Sequence, residues 1–95
     1  MNSIKKIVPI EDLEVLREMP NTVIIRNHLI RYGSITAEEA KSLYGMARLS
    51  AVIHDLRHKR EPLMVIDDVW ESGYNRIGKR SHWVRYYFRG YVEDI

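Results

Sequence analysis

The stretch that decides the fold is residues 21–60, NTVIIRNHLIRYGSITAEEAKSLYGMARLSAVIHDLRHKR. Gly33 and Gly45 divide it into three apolar-periodic segments, and a left-handed backbone at such breaks costs glycine little. In the first segment Asn21 is a candidate N-cap, and Ile25, Leu29 and Tyr32, with Ile24 beside them, fall on one helical face. The second opens on the clearest start signal in the chain, Thr36 followed three residues later by Glu39. In such a capping box each side chain satisfies the other residue's orphan backbone N–H. It predicts a helix over residues 37–44, with Ala40, Leu43 and Tyr44 turned to the core. The third helix is expected over residues 47–59, where Leu49, Val52, Ile53 and Leu56 recur at i, i+3, i+4 and i+7.

At about 100° per residue, the opposite face of that third helix is Ala47, Ala51, His54 and His58. Ser50 and Arg57 flank it on one side, Arg48 and Asp55 on the other. The face is lean at its start and basic toward its exit. Small residues matter on such a face because a helix must lie close to base edges before a side chain can read them. Ala47, Ser50 and Ala51 are also ordinary helix-surface residues, so the pattern gains meaning only together with the sharp turn at Gly45 and the basic exit. Two helices joined by a glycine turn are the arrangement of a helix-turn-helix.

Downstream of Glu61-Pro62 the periodicity changes. LMVIDDVW (63–70) is rich in β-branched residues. HWVRYYF (82–88) alternates, with Val84, Tyr86 and Phe88 on one face and Trp83, Arg85 and Tyr87, followed by Arg89, on the other. Between them ESGYNRIGKRS holds two glycines and an Asn-Arg-Ile-Gly turn, which predicts a hairpin with a basic tip. The expected fold is mainly α with a C-terminal β-hairpin, a winged helix-turn-helix with a three-helix core and a wing. Upstream, residues 4–8 read as a short strand. Residues 10–19 read as an extra short amphipathic helix that packs on its own domain or supplies a dimer contact. This divides the chain into an N-terminal extension, 1–20, and a winged domain, 21–95, whose last residues are acidic and expected to fray.

Ninety-five residues suffice for one such core without staples, and the absence of cysteine excludes disulfides, thiolate metal sites and cysteine nucleophiles. No apolar run approaches the roughly 18 residues of a membrane span, and the N-terminus lacks the apolar centre of a signal peptide, so a cytoplasmic location is expected. The net charge of +2 conceals an uneven distribution. Cations gather in the third helix with its exit and again in residues 76–89, a stretch that contains no acid. Such clusters are the footprint to test against nucleic acid.

GSITAEEAKSLYGMARLSAVIHDLRHKREP (33–62) resembles a small winged helix-turn-helix family common in bacteriophage and prophage proteins. Its members read G-S-I-T, acidic or small residues, an alanine, a leucine and a glycine, then R-L-x-A-x-I-x-D-L-R. The likeness continues through Asn75-Arg76, Gly78 and the aromatic strand, and covers residues 21–88. It implies a winged helix, DNA binding and a bacterial host cell, with Arg48, Ser50 and Ala51 on a recognition helix and Arg57 at its exit. The chain departs from the family in the acids Asp67, Asp68 and Glu71 of the first wing strand, which would repel DNA if they faced the same way as the basic tip.

Other chemistry is poorly supported. His54 and His58 stand at i and i+4 around Asp55, but a closed metal site needs four ligands and no others are in evidence, so no metal and no cofactor are expected. Neither a nucleophile elbow nor a phosphate loop is present, so no enzyme is expected. The leading reading is a sequence-specific double-stranded DNA-binding protein, a phage-type transcriptional regulator. Arg48, Ser50, Ala51 and His54 would lie at base edges, and Arg57, His58, Lys59 and Arg60, with Arg76, Lys79 and Arg80 of the wing, on the backbone or minor groove. A homodimer is a candidate assembly. The alternative is a phage winged-helix protein that binds a host or phage protein instead of DNA, favoured by Trp70, Trp83 and Tyr87, residue types enriched at protein interfaces.

Overall fold

The computed structural model describes residues 17–92. The strand expected at 4–8 lies outside the described residues. So does the helix expected at 10–19, apart from its end, where Met19 packs against the core.

Helix α1, Asn21–Tyr32, begins one residue earlier in its cap than the sequence implies. Pro20 occupies the N-cap, its carbonyl accepting from the N–H groups of Val23 and Ile24 at 3.0 and 3.2 Å, and Asn21 is the first helical residue. The buried face is Ile24, Ile25, His28 and Leu29. Tyr32, expected inside, is largely exposed, because the chain turns away at Gly33 (φ 87°), and its ring is met by His28 and the Arg31 guanidinium.

That turn leads directly into strand β1, Ser34–Thr36, a strand not anticipated from the sequence. Three residues are too few to display an alternating pattern, yet Ile35 is fully buried and the strand pairs antiparallel with the second wing strand. Helix α2, Ala37–Tyr44, follows with its capping box complete. Glu39 N–H donates to Thr36 Oγ1 at 3.1 Å, and Thr36 N–H donates to Glu39 Oε1 at 3.0 Å. So short a helix turns only Ala40 fully inward, and Leu43, expected in the core, is half-exposed. Met46 takes its place beyond the left-handed Gly45 (φ 66°), whose N–H bonds back to the Lys41 carbonyl at 2.9 Å.

Helix α3, Leu49–His58, buries Leu49, Val52, Ile53 and Leu56, the stripe expected of it. It begins later than expected, since Arg48 is the N-cap and Ala47 precedes the helix. The cis Glu61–Pro62 peptide lies between this helix and the wing.

The wing strands are longer than the two apolar runs alone imply: β2 is Met64–Tyr74 and β3 is Arg80–Tyr91. Gly73 lies within β2, where its missing side chain makes room for the Trp83 ring: a Cβ there would sit 2.9 Å from the indole. With β1 on the outer side, the sheet has the order β1-β3-β2 and is antiparallel throughout. The description as mainly α is therefore corrected: three helices pack on a three-stranded sheet, with nearly as much strand as helix.

An irregularity at Val65/Ile66 sets Ile66 opposite Phe88 but Val65 opposite Gly90. The odd step is absorbed at Arg89, so Phe88 and Tyr91 share a face, with their rings 5.3 Å apart. Ile25, Leu29, Ile35, Ile53, Leu56 and Met64 form the fully buried centre, drawn from α1, β1, α3 and β2. Each element of the unit except α2 and β3 thus holds at least one fully buried side chain whose truncation costs roughly 2 to 5 kcal/mol.

Candidate nucleic-acid interface

Burial of the α3 stripe leaves Ser50, Ala51, His54 and His58 on the outer surface, with Ala47 and Arg48 just ahead of the helix. Arg48, Ser50, Ala51 and His54, the four expected base-edge residues, are all exposed. None of Arg48, Ser50 and His54 makes a side-chain hydrogen bond or ion pair among the described residues. Arg48 caps α3 with its backbone alone, so its guanidinium stays available. The His54 and His58 rings lie 4.7 Å apart, in contact with each other.

Arg57 behaves differently from the other expected contacts. Its guanidinium turns into the wing, where Nε donates to the Ile66 carbonyl at 3.2 Å and Nη2 is paired with Asp68. A cation expected on a phosphate is thus committed to holding α3 against β2. Arg26 of α1 performs a related task that sequence reasoning missed. It donates to the carbonyls of Pro62 and Arg60, at 2.8 and 2.7 Å, and so fixes the segment between α3 and β2.

The acidic wing strand is resolved in the same way. Asp68 is paired with Arg57, Asp67 with Arg89 at 2.9 Å, and Glu71 with Arg85 at 3.1 Å. Arg85 is the hub. It also bonds Glu39 through both terminal nitrogens, at 3.1 and 3.2 Å, and Ser34 Oγ at 3.2 Å. The capping-box glutamate of α2 and the acid of the wing therefore meet on one guanidinium. Trp83 Nε1 donates to Glu71 at 2.8 Å, and this bond, with those from Arg85, holds the Glu71 carboxyl below its ordinary value. Burial works against the Arg85 charge, but its bonds to Glu39 and Glu71 outweigh it and raise the guanidinium further. Surface pairs of this kind contribute little stability each. Their consequence here is electrostatic, since the wing's acids no longer project an uncompensated field toward the tip.

At that tip Arg76, Lys79 and Arg80 are exposed and form no ion pair among the described residues, and the same holds for Arg60 at the end of α3. Lys59 has only a 4.0 Å approach to Asp55. Arg76 and Asn75 of the wing face Thr36 and Ala37 at the start of α2 across an open cleft of about 680 Å³. Besides the β1–β3 pairing, Arg57 and Arg85 tie the helices to the wing through its acids, and Arg60, Arg76, Lys79 and Arg80 are left without an ion pair among the described residues.

One polar pair lies inside. His28 Nδ1 is 2.7 Å from the Tyr44 hydroxyl, linking α1 to the end of α2. Burial holds the imidazole below its usual value and pushes the phenol up to about 12, so at neutral pH an uncharged ring meets a protonated hydroxyl. Among the described residues no group of three or more His, Cys, Asp or Glu side chains could hold a metal ion, and no helix is long and apolar enough to cross a membrane.

The family model described as a winged helix-turn-helix domain matches residues 21–88, from the first residue of α1 to Phe88 of β3. No curated protein and no solved structure matches the chain significantly.

Proposed function

We propose, from the premise that this chain belongs to the winged helix-turn-helix domain family, that it is a sequence-specific double-stranded DNA-binding protein. Winged helix-turn-helix domains typically bind double-stranded DNA. In this reading α3 enters the major groove, with Arg48, Ser50, Ala51 and His54 at base edges and Arg48 as the guanine reader. A bidentate arginine contact of that kind is worth roughly 1 to 3 kcal/mol of discrimination. His58, Lys59 and Arg60 meet the backbone beyond the helix, and Arg76, Lys79 and Arg80 meet it from the wing. Arg57 leaves this set, because Asp68 and the Ile66 carbonyl occupy it.

The observation that carries the proposal is the contrast in pairing. The acids of the wing are each bonded to an arginine, whereas Arg60 at the α3 exit and Arg76, Lys79 and Arg80 at the wing tip form no ion pair among the described residues. The finer reading is a phage-type transcriptional regulator acting in the bacterial cytoplasm, with a binding role and no catalysis, metal or cofactor. A dimer would place two α3 helices on half-sites about one helical turn apart. Selection of binding sites from random duplex DNA tests this directly. An enriched motif is expected, and one with two-fold symmetry at that spacing identifies a dimer. Failure to enrich any motif from a folded protein would contradict sequence-specific binding.

One observation favours the second reading, a wing that binds a host or phage protein. Trp70 and Tyr74 are 73% and 72% exposed on the same face of β2. If that reading holds, nuclease-treated lysate yields a stoichiometric protein partner whose capture is lost in Trp70→Ala, and purified protein leaves duplex DNA unbound.

A further inference from the structure

Among the described residues Ile77 is the most exposed of the large apolar side chains, at 78%, and it sits at the outermost turn of the wing. Isolated exposed apolar residues are common, but a hairpin tip is where the chain most readily accepts Gly, Asn or Asp. The turn itself has no need of isoleucine. Its conformation is set by Asn75 and Gly78. Asn75 Oδ1 accepts from the N–H groups of Ile77 and Lys79, at 3.1 and 2.9 Å, and the Gly78 N–H donates to the Asn75 carbonyl at 3.0 Å. The Asn75 N–H donates to the Lys79 carbonyl at 2.8 Å, and Gly78 takes the left-handed backbone (φ 83°) that closes such a loop. Every one of these bonds survives a change of side chain at position 77.

The chemistry around Ile77 is equally one-sided. Arg76 precedes it, Lys79 and Arg80 follow, and none of the three is engaged in an ion pair among the described residues. Asp67, Asp68 and Glu71, the acids of the same hairpin, are neutralised farther down. A rigid tip thus carries a bare branched apolar group between unpaired cations. Its charge suits a polyanion, and its centre suits a surface that is apolar once the polyanion's phosphates have been passed.

We propose that Ile77 is a wedge that enters the minor groove of duplex DNA and partly unstacks one base step, bending the duplex while Arg76, Lys79 and Arg80 hold the flanking phosphates. Apolar side chains inserted in this way kink DNA by roughly 20 to 90°. The wedge rests on the DNA-binding reading above and adds deformation to it. Specificity would then extend to a position no polar side chain reads, favouring the easily unstacked TA and CA/TG steps beneath the wing.

The test uses the full chain with a selected duplex carrying a fluorescence donor and acceptor at its two ends, and a second copy of the duplex with 2-aminopurine placed in turn at each step flanking the α3 site. The wild type is expected to shorten the end-to-end distance and to brighten 2-aminopurine at one step. Ile77→Ser should keep the turn, bind within about ten-fold of the wild type and with the same salt slope, and leave the duplex close to straight with the base stacked. Ile77→Leu, which restores apolar bulk, should bend it again. Binding by the wild type without bending or unstacking, or an Ile77→Ser variant that bends as well as the wild type, would overturn the wedge alone. A wild type that binds no duplex would overturn the DNA reading, and the wedge with it.

Discussion

The outer edge of α3 and the wing hairpin are both built from cations and small or aromatic residues, yet they use their polar side chains in opposite ways. Along α3, Arg48, Ser50 and His54 are exposed and bonded to nothing among the described residues, so their hydrogen-bonding capacity is intact. The wing is bonded at its root and unpaired at its tip. Arg57, Arg85 and Arg89 each hold one of its acids, and Arg76, Lys79 and Arg80 project beyond them. The difference teaches that counting charges along a sequence overstates how many of them reach a partner. A carboxylate beside a basic tip is not an obstacle when an arginine of its own fold already faces it.

The largest expected effect breaks the α3 side of this comparison. Ala51→Glu places bulk and negative charge on the lean face without touching the core. If that face approaches DNA, like-charge repulsion of several kcal/mol should weaken binding more than 100-fold. Because the site is exposed, the same variant should unfold within about 0.5 kcal/mol of the wild type in a urea titration. Binding that survives the substitution would remove α3 from the interface.

The next test concerns the root of the wing. Arg85→Ala leaves Glu39 and Glu71 without their shared cation, and partly exposed pairs of this kind are worth about 0.2 to 1 kcal/mol each, roughly 0.5 to 2 kcal/mol for the two. A loss in that range is expected in denaturant unfolding. Arg85→Lys should recover only part of it, because an ammonium cannot reproduce the planar fork that reaches both carboxylates. Full recovery by lysine would reduce the hub to a simple point charge.

A smaller effect concerns pH. His28 has its folded-state value lowered below 6.5 by burial, so the unfolded chain binds the proton more readily. The stability this contributes is therefore complete above about pH 6.5 and is lost as the pH falls from there through the folded-state value. Glu71, lowered from 4.5 chiefly by its bond from Trp83, adds a second loss in the same direction at more acidic pH. Thermal unfolding measured from pH 7.5 to 3 should show both declines, and His28→Asn should flatten the first while leaving the more acidic one. A wild-type profile that rises on acidification would contradict the buried neutral ring.

Much of the unit was legible in the sequence because its signals are local. Thr36 and Glu39 mark the start of α2, Gly33 and Gly45 mark the ends of two helices, and the spacing of Leu49, Val52, Ile53 and Leu56 fixes which side of α3 is buried. What escaped depends on contacts distant in the chain. β1 exists because Ile35 fills the core and its backbone pairs with residues about fifty positions later. His28 turned inward in place of Tyr32 because Tyr44 was there to satisfy it. Gly73 reads as a breaker until Trp83 is seen lying over it. In the candidate site, the exposure of Arg48, Ser50, Ala51 and His54 followed from helical periodicity. The diversion of Arg57 to Asp68 did not, since nothing in the order of residues says that β2 returns past the end of α3. The acids at Asp67, Asp68 and Glu71 were the available signal, as an acidic strand in a basic domain calls for arginines elsewhere in the fold.

The central claim is that α3 reads bases while the tip of the wing holds the backbone. Anisotropy titrations of the wild type, Arg48→Ala and Arg76→Ala, on a selected duplex and a scrambled one at several salt concentrations, test it most directly. Arg76→Ala should weaken both duplexes alike and flatten the salt dependence by about one unit, whereas Arg48→Ala should lose roughly 1 to 3 kcal/mol of preference for the selected one. Equal losses on both duplexes from both variants would contradict the division of labour.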